Sequence, residues 1–389
     1  MMKSRLIFLF ILFLVFLDIG SNAIEIYGDI YSGITYSECN GEYLFSHSVK
    51  NESIYSYIGG NFYIHHYDSN FNQFYMDIEF KNNINNITFT SDEKDTEDLD
   101  LSLRQCYIVI PRSLRSIFYV GKKNKNLGVA NYFSSSENPA IFEWNYIHSP
   151  AVHYGLVVDL SQSEELGQIH YVPYVDFQHN RLNLKGFVSI RESRINSGGF
   201  NWTYQLDKYQ FYGEGLIKKK TGNNVSEPDN IFLKQNEEQY YDIVLGCQYI
   251  DDNFSVILEY LYHNNGFNEF EQEGFFNRIQ NTDIKQPDRL KEYYQLFSFT
   301  KNYFGIALSY SPSSLSDLSM GISTIFSLQP ERDFSKYMSY QLSPYLQYAI
   351  NQNLNLKCSY SYINGGELGE FNKLSEWQRR INLSLNYSF

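Results

Sequence analysis

Long apolar runs are what this 389-residue sequence has least of. Beyond the first 23 residues nothing approaches the roughly 20 apolar residues that a membrane-spanning helix needs, and mean hydropathy is negative, at −0.39. Any membrane crossing therefore falls to strands. Cysteine is sparse: Cys39, Cys106, Cys247 and Cys358 are too few to staple a chain of this length, which excludes a disulfide framework. Basic residues are outnumbered, with 31 Lys and Arg against 44 Asp and Glu and a net charge of −13. Such a balance argues against nucleic acid, whose phosphates demand a cationic surface. Catalytic spacing is missing too. Ser48 beside His47 and Ser149 beside His148 are neighbours only along the chain, so no enzyme is expected. Metal signals are equally thin. The acidic stretch at 91–100 has no EF-hand spacing, and the adjacent His65 and His66 on a strand point to opposite faces. No metal and no cofactor are expected. No repeat and no linker divides the chain, which predicts one domain.

Aromatics, by contrast, are abundant, with 35 Tyr and 30 Phe. The N-terminus carries Lys3 and Arg5, an apolar run from Leu6 to Leu17, and small residues at Ser21 and Ala23. That order predicts a signal peptide over 1–23, leaving a mature domain over 24–389 with net charge −14. At the other end, Arg380 to Phe389 alternates strictly. Ile381, Leu383, Leu385, Tyr387 and Phe389 share one face, and Asn382, Ser384, Asn386 and Ser388 the other. This is a strand with an oily side and a wet side.

Similar runs recur through the chain. At 72–82, Phe74, Met76, Ile78 and Phe80 alternate with Asp77, Glu79 and Lys81. Three successive charged alternates have no place in a dry core without partners, so they predict a wet interior. Taken together, the alternating runs predict eighteen strands of about ten residues, a length that crosses a bilayer when tilted. The segment 264–302 is read as one long connection holding a short helix over 287–297, started by Pro287. Connections then alternate. Those after odd-numbered strands, at 38–52, 83–97, 122–140, 161–166, 192–198, 219–239, 264–302, 328–338 and 363–378, are mostly long, whereas those after even-numbered strands, at 66–71, 111–114, 149–151, 178–180, 207–208, 251–252, 312–317 and 351–353, are uniformly short.

The aromatic C-terminal strand, the signal peptide and the long–short alternation together resemble the bacterial outer-membrane β-barrel class, and porins in particular. The resemblance implies an all-β, single transmembrane antiparallel barrel with short periplasmic turns and long extracellular loops. It also implies localisation in the outer membrane, contact with outer-membrane lipid, and recognition of the closing strand, ending in Phe389, by the barrel-assembly machinery. The expected activity is a channel passing small hydrophilic solutes by diffusion. Cys247 and Cys358 then look into lipid.

With apolar alternates facing lipid, the opposite parity lines the lumen. The pore-lining candidates are Asp77, Glu79, Lys81, Arg104, Glu143, Asp159, His170, Asp176, Lys185, Arg191, Glu214, Asp242, Glu259 and Lys357. Tyrosines at 55, 57, 63, 75, 174 and 212 share that parity. The loop from Gly121 to Ala140, with Lys122, Lys123, Lys125 and Gly128, resembles the inward-folded third loop of porins and is the candidate constriction. Two other readings stand beside the channel: a barrel that only anchors partner-binding surface loops, and a secreted soluble β-protein.

Overall fold

The computed structural model describes residues 24–39, 52–67, 71–88, 99–123, 125–126, 136–137, 140–159, 169–191, 194–219, 239–264, 266–281, 299–329, 334–375 and 377–389. The expected signal peptide lies outside them. Eighteen strands form one sheet. In chain order they are β1 (Ile24–Cys39), β2 (Glu52–Tyr67), β3 (Gln73–Thr88), β4 (Leu99–Ser113), β5 (Ser116–Lys122), β6 (Ala140–Ser149), β7 (Val152–Asp159), β8 (His170–His179), β9 (Leu182–Arg191), β10 (Arg194–Leu206), β11 (Tyr209–Lys219), β12 (Gln239–Ile250), β13 (Phe254–His263), β14 (Asn302–Tyr310), β15 (Leu318–Leu328), β16 (Ser339–Ala349), β17 (Leu354–Gly365) and β18 (Trp377–Ser388). Each pairs antiparallel with its neighbour in sequence, and β1 closes on β18 in a register running from Asp29↔Ser388 to Glu38↔Arg379. The barrel therefore has no free edge, the condition a sheet must meet in hydrocarbon.

The oily parity faces outward. Leu383 is 47% exposed and Ile26 64%, while their alternates Asn382, Ser384 and Asp29 are more enclosed. An exterior of Ile, Leu, Phe and Tyr is matched to lipid, which overturns the soluble-protein reading. Cys247 and Cys358 share that outer parity.

Two departures from the sequence reading have physical causes. β1 to β4 run 15 or 16 residues rather than about ten, so one side of the wall stands taller toward the long-loop rim. β10 starts at Arg194 instead of 199, because Gly198 and Gly199 carry no side chain to register the alternation.

The described helix of the long 264–302 connection is α1 (Glu269–Asn281), not a helix at 287–297, which lies outside the described residues. Its start is a reciprocal cap. The Glu271 backbone N–H donates to Asn268 Oδ1 at 3.0 Å, and the Asn268 backbone N–H donates to Glu271 Oε2 at 2.8 Å. Such a box satisfies two of the helix's orphan donors, and the pattern Asn-x-x-Glu is visible at 268–271. Two shorter helices follow, α2 (Phe334–Tyr337) and α3 (Glu370–Leu374).

One buried apolar cluster lies within the wall, where Ile141, Val157 and Val172 pack with Tyr174 and Phe187; two others involve these loops. Phe275 and Phe276 of α1 pack with Phe267, Phe299, Tyr337, Leu368 and Leu374, joining three long connections at one rim. Below them, Phe371 of α3 sits against Val244, Leu261, Tyr303 and Ile363, all lumen-facing wall positions. Each fully buried aromatic supplies about 1.5–3 kcal/mol, enough to hold a short loop helix against the inner wall.

Candidate functional site in the barrel lumen

Register gives each pore-lining candidate its cross-strand neighbours. Asp77, Glu79 and Lys81 lie opposite Tyr63, Asn61 and Gly59 of β2. Arg104 is the extra residue of a bulge between Gln105 and Leu103, where β4 slips past Asp77 and Ile78. A bulge inserts one residue and re-aims it, so Arg104 and Gln105 both serve the lumen side where strict alternation allows only one of them. Glu143 faces Tyr119, and Asp159 faces both Ile141 and His170. Asp176 lies opposite Lys185, and Arg191 opposite His170, although the Arg191 side chain is outside the described residues. Glu214 pairs with Asn201, Asp242 with His263, Glu259 with Gly246, and Lys357 with Gln347.

These residues gather into groups. One stands on β1 to β4. The Asn61 amide donates to both Asp29 carboxylate oxygens at 3.1 Å, Arg104 Nη1 donates to Asn61 Oδ1 at 3.4 Å, and Arg104 Nε lies 3.9 Å from Glu79. A second spans β5 to β9. Lys123 Nζ is 2.9 Å from Glu143 Oε2 and 3.6 Å from the centre of the Tyr119 ring. Tyr174 donates to the other Glu143 oxygen at 3.0 Å, with Lys185 standing 4.7 Å over the Tyr174 ring. The third is on β11 to β13, where Asp242 takes His263 Nδ1 and has Lys218 at 3.8 Å. Glu259 accepts from Tyr212 at 2.6 Å in a fully buried pair. Asp29, Asn61, Lys218 and His263 join these groups in addition to the sequence candidates. All four share the parity of named lumen positions on their strands: Asp29 with Tyr27 and Tyr31, Asn61 with Tyr57 and Tyr63, Lys218 with Glu214, and His263 with Glu259.

A common device holds the lysines. Lys81, Lys123, Lys185, Lys218 and Lys357 each lie within 6 Å of a tyrosine ring centre, on Tyr57, Tyr119, Tyr174, Tyr240 and Tyr345. Cation–π attraction lays the ammonium along the wall. Glycine makes several of the wall tyrosines lie flat as well. A Cβ added at Gly155 would strike the Tyr174 ring, and one at Gly246 would strike Tyr212. The row Tyr27–Tyr63, stacked at 5.1 Å, and Tyr75–Tyr107, at 5.2 Å, uses ring faces within the wall itself.

Of the expected constriction loop, Lys122 and Lys123 turn back onto the wall, Lys122 Nζ reaching the Leu103 carbonyl. Lys125 belongs to a two-residue pairing with Ser136–Glu137, its side chain outside the described residues, as is Gly128. What fills the described lumen near that rim is α3. Glu370, with no exposed surface, accepts from Tyr303 at 2.8 Å and from Thr300 and Ser327 at 3.1 Å each. The Phe371 backbone N–H donates to Ser339 Oγ at 3.0 Å. No periodicity marks so short a loop helix in the sequence.

No family model matches this sequence, and no curated protein matches it either. Solved structures do. OccAB4 of Acinetobacter baumannii superposes over 96% of this chain and 99% of its own, with a TM-score of 0.58 at 8% identity. OccK2 (OpdF) of Pseudomonas aeruginosa does so over 94% and 98%, at 0.57 and 8%. The outer membrane protein OprD of the same organism covers 94% and 93%, at 0.52 and 9%. Identities this low speak to architecture alone. The closed eighteen-stranded antiparallel sheet, lipid-matched outside and polar inside, is thus the fold of a porin-like barrel of the bacterial outer membrane.

Proposed function

We propose that this protein is an outer-membrane channel through which small hydrophilic solutes pass by diffusion. The observation that carries the reading is the sorting of side chains across the wall: hydrocarbon-matched residues outside, and Asp, Glu, Lys, Arg, Ser and Asn inside a barrel of eighteen strands. Barrels of that size leave an aqueous passage. The wall charges and the α3 segment narrow it and sort what enters. Phe389, whose backbone pairs with Gly28 at the closing seam, is the residue expected to present the last strand to the barrel-assembly machinery.

Single-channel recording of the purified, refolded protein in planar bilayers tests the channel: discrete conductance steps in salt solution are expected. A second reading, a barrel that only anchors surface loops, draws on the packing of α1 and α3 at the rim. A silent bilayer with a correctly folded barrel would favour it.

A further inference from the structure

The cluster on β1 to β4 holds more negative charge than its partners neutralise. Asp29 and Glu79 flank Asn61 across the strands, Asp77 stands two residues before Glu79 on β3, and Arg104 is the cation bonded into the group. Asn61 is spent on Asp29, Arg104 on Asn61 and Glu79, and the Tyr31 hydroxyl on Glu79 at 3.4 Å. Asp77 is left over. It is only 4% exposed, Gln105 hydrogen-bonds it, and Arg104, Glu79 and Asp29 are near enough to act on its charge. Yet its Oδ1 meets no donor among the described residues. Leaving a buried acceptor unsatisfied costs about 1–3 kcal/mol, and more for a charged group. Apart from Arg104, the neighbouring cations are engaged elsewhere. Toward the turns, His65 lies 3.9 Å from Glu25, and toward the loops, Lys81 stands on Tyr57 with Asp100 opposite in register.

We propose that this cluster is a binding site for solutes bearing a primary ammonium group, with Asp77 Oδ1 as the acceptor the solute completes and Asp29 and Glu79 supplying the surrounding charge. The inference rests on the channel reading, because Asp77 and Glu79 stand at inner-wall positions of β3, opposite Tyr63 and Asn61, and a solute has to part the enclosing side chains to reach Asp77 Oδ1. An N–H donor fits better than a metal ion, since among the described residues no three His, Cys, Asp or Glu side chains converge to ligate one. Anions are disfavoured because Arg104 is already engaged. Tyr31 and Tyr63 border the site, and aromatic rings favour a cation beside them.

The test uses calorimetric titration of the refolded full chain in detergent with putrescine, and with 1,4-butanediol as its uncharged counterpart. Saturable binding of putrescine and none of the diol is expected, with Asp77→Asn weakening it roughly tenfold or more, the loss of one charge-assisted hydrogen bond. Folding of each variant is read from its heat-dependent gel shift. If Asp77→Asn does not refold, Glu79→Gln gives the same reading. Non-saturable heats, or unchanged binding in the folded variant, would overturn the site. Displacement of putrescine by equimolar calcium would also overturn the ammonium assignment in favour of a metal. Bilayer recording separates the two claims: conductance without putrescine binding removes the site and keeps the channel, whereas binding without conductance does the reverse.

Discussion

Two stretches of the inner wall are unlike, with β10 to β13 between them. From β1 to β9 the wall presents tyrosines with Asp, Glu, Lys and Arg set among them. From β14 to β18 it presents Ser309, Ser323, Ser343, Ser359, Ser361, Gln341, Asn382 and Ser384, interrupted by few charges. Side-chain length is the difference that matters. Long tyrosines and lysines fill their stretch from within the wall, by cation–π contacts and ion pairs. The short hydroxyls of the other stretch leave room, and at its loop end Ser327 and Ser339 are where α3 docks. One stretch solves its packing within the sheet, and the other borrows a loop.

That contrast breaks most readily at Glu370. Replacing it with Ala strips the acceptor from Tyr303, Thr300 and Ser327 together, and we expect α3 to detach at a cost of about 3 kcal/mol or more. Hydrogen exchange over 366–375 should lose protection and conductance should rise. Unchanged protection would mean that Phe371 alone anchors the segment.

The charged stretch should be less sensitive at any one residue. Lys123→Met removes the cation beside Glu143, which is nearly buried, while Tyr174 still donates to it. A loss of about 1–3 kcal/mol in thermal or urea unfolding is expected, below the full cost of breaking a buried pair because Lys123 is partly open to solvent.

Sharpening the comparison needs a residue that sets how tyrosine lies. Gly246→Val should push the Tyr212 ring off the wall and cost about 1–3 kcal/mol through overpacking, and Tyr212→Phe in the same background should then cost little further. Additive losses would show that the Tyr212–Glu259 bond survives the valine.

The smallest effect is expected outside the membrane, in the turns. Asp251, hydrogen-bonded by Lys208 across adjacent turns, has its carboxyl held below the usual range, and the Lys208 ammonium is raised. A lowered acid contributes above its unfolded pKa and loses that contribution as pH falls through the folded value. The raised lysine contributes below its own unfolded pKa and loses it as pH rises through the folded one. Both groups are open to solvent, so Asp251→Asn should leave the neutral-pH unfolding curve unmoved. A clear shift there would give turn pairs a weight that screening denies them.

Much of the barrel is legible in the sequence. Strict alternation at 72–82 and at 380–389 announces strands whose two faces meet different solvents, and the long and short connections place the rims. Where side chains vanish, as at Gly198 and Gly199, alternation vanishes with them and the strand start slips. Arg104 falls on the lumen side by pattern, but the bulge that sets it against Asn61 and Glu79 is a property of pairing between strands. The helix at 269–281 is harder to see than one at 287–297, because Pro287 is a louder start signal than the Asn268–Glu271 box. Glu370 and Thr300 come together from positions 70 residues apart, and local pattern carries no information about such a meeting.

What the sequence determined by itself was the sheet: period-two patterning sets which side of every strand is oily, and closure then turns that side outward and the polar side inward. Tertiary structure alone decided which loop enters the barrel and which charges share a site, because those depend on the size of the space left by side chains on strands distant in sequence.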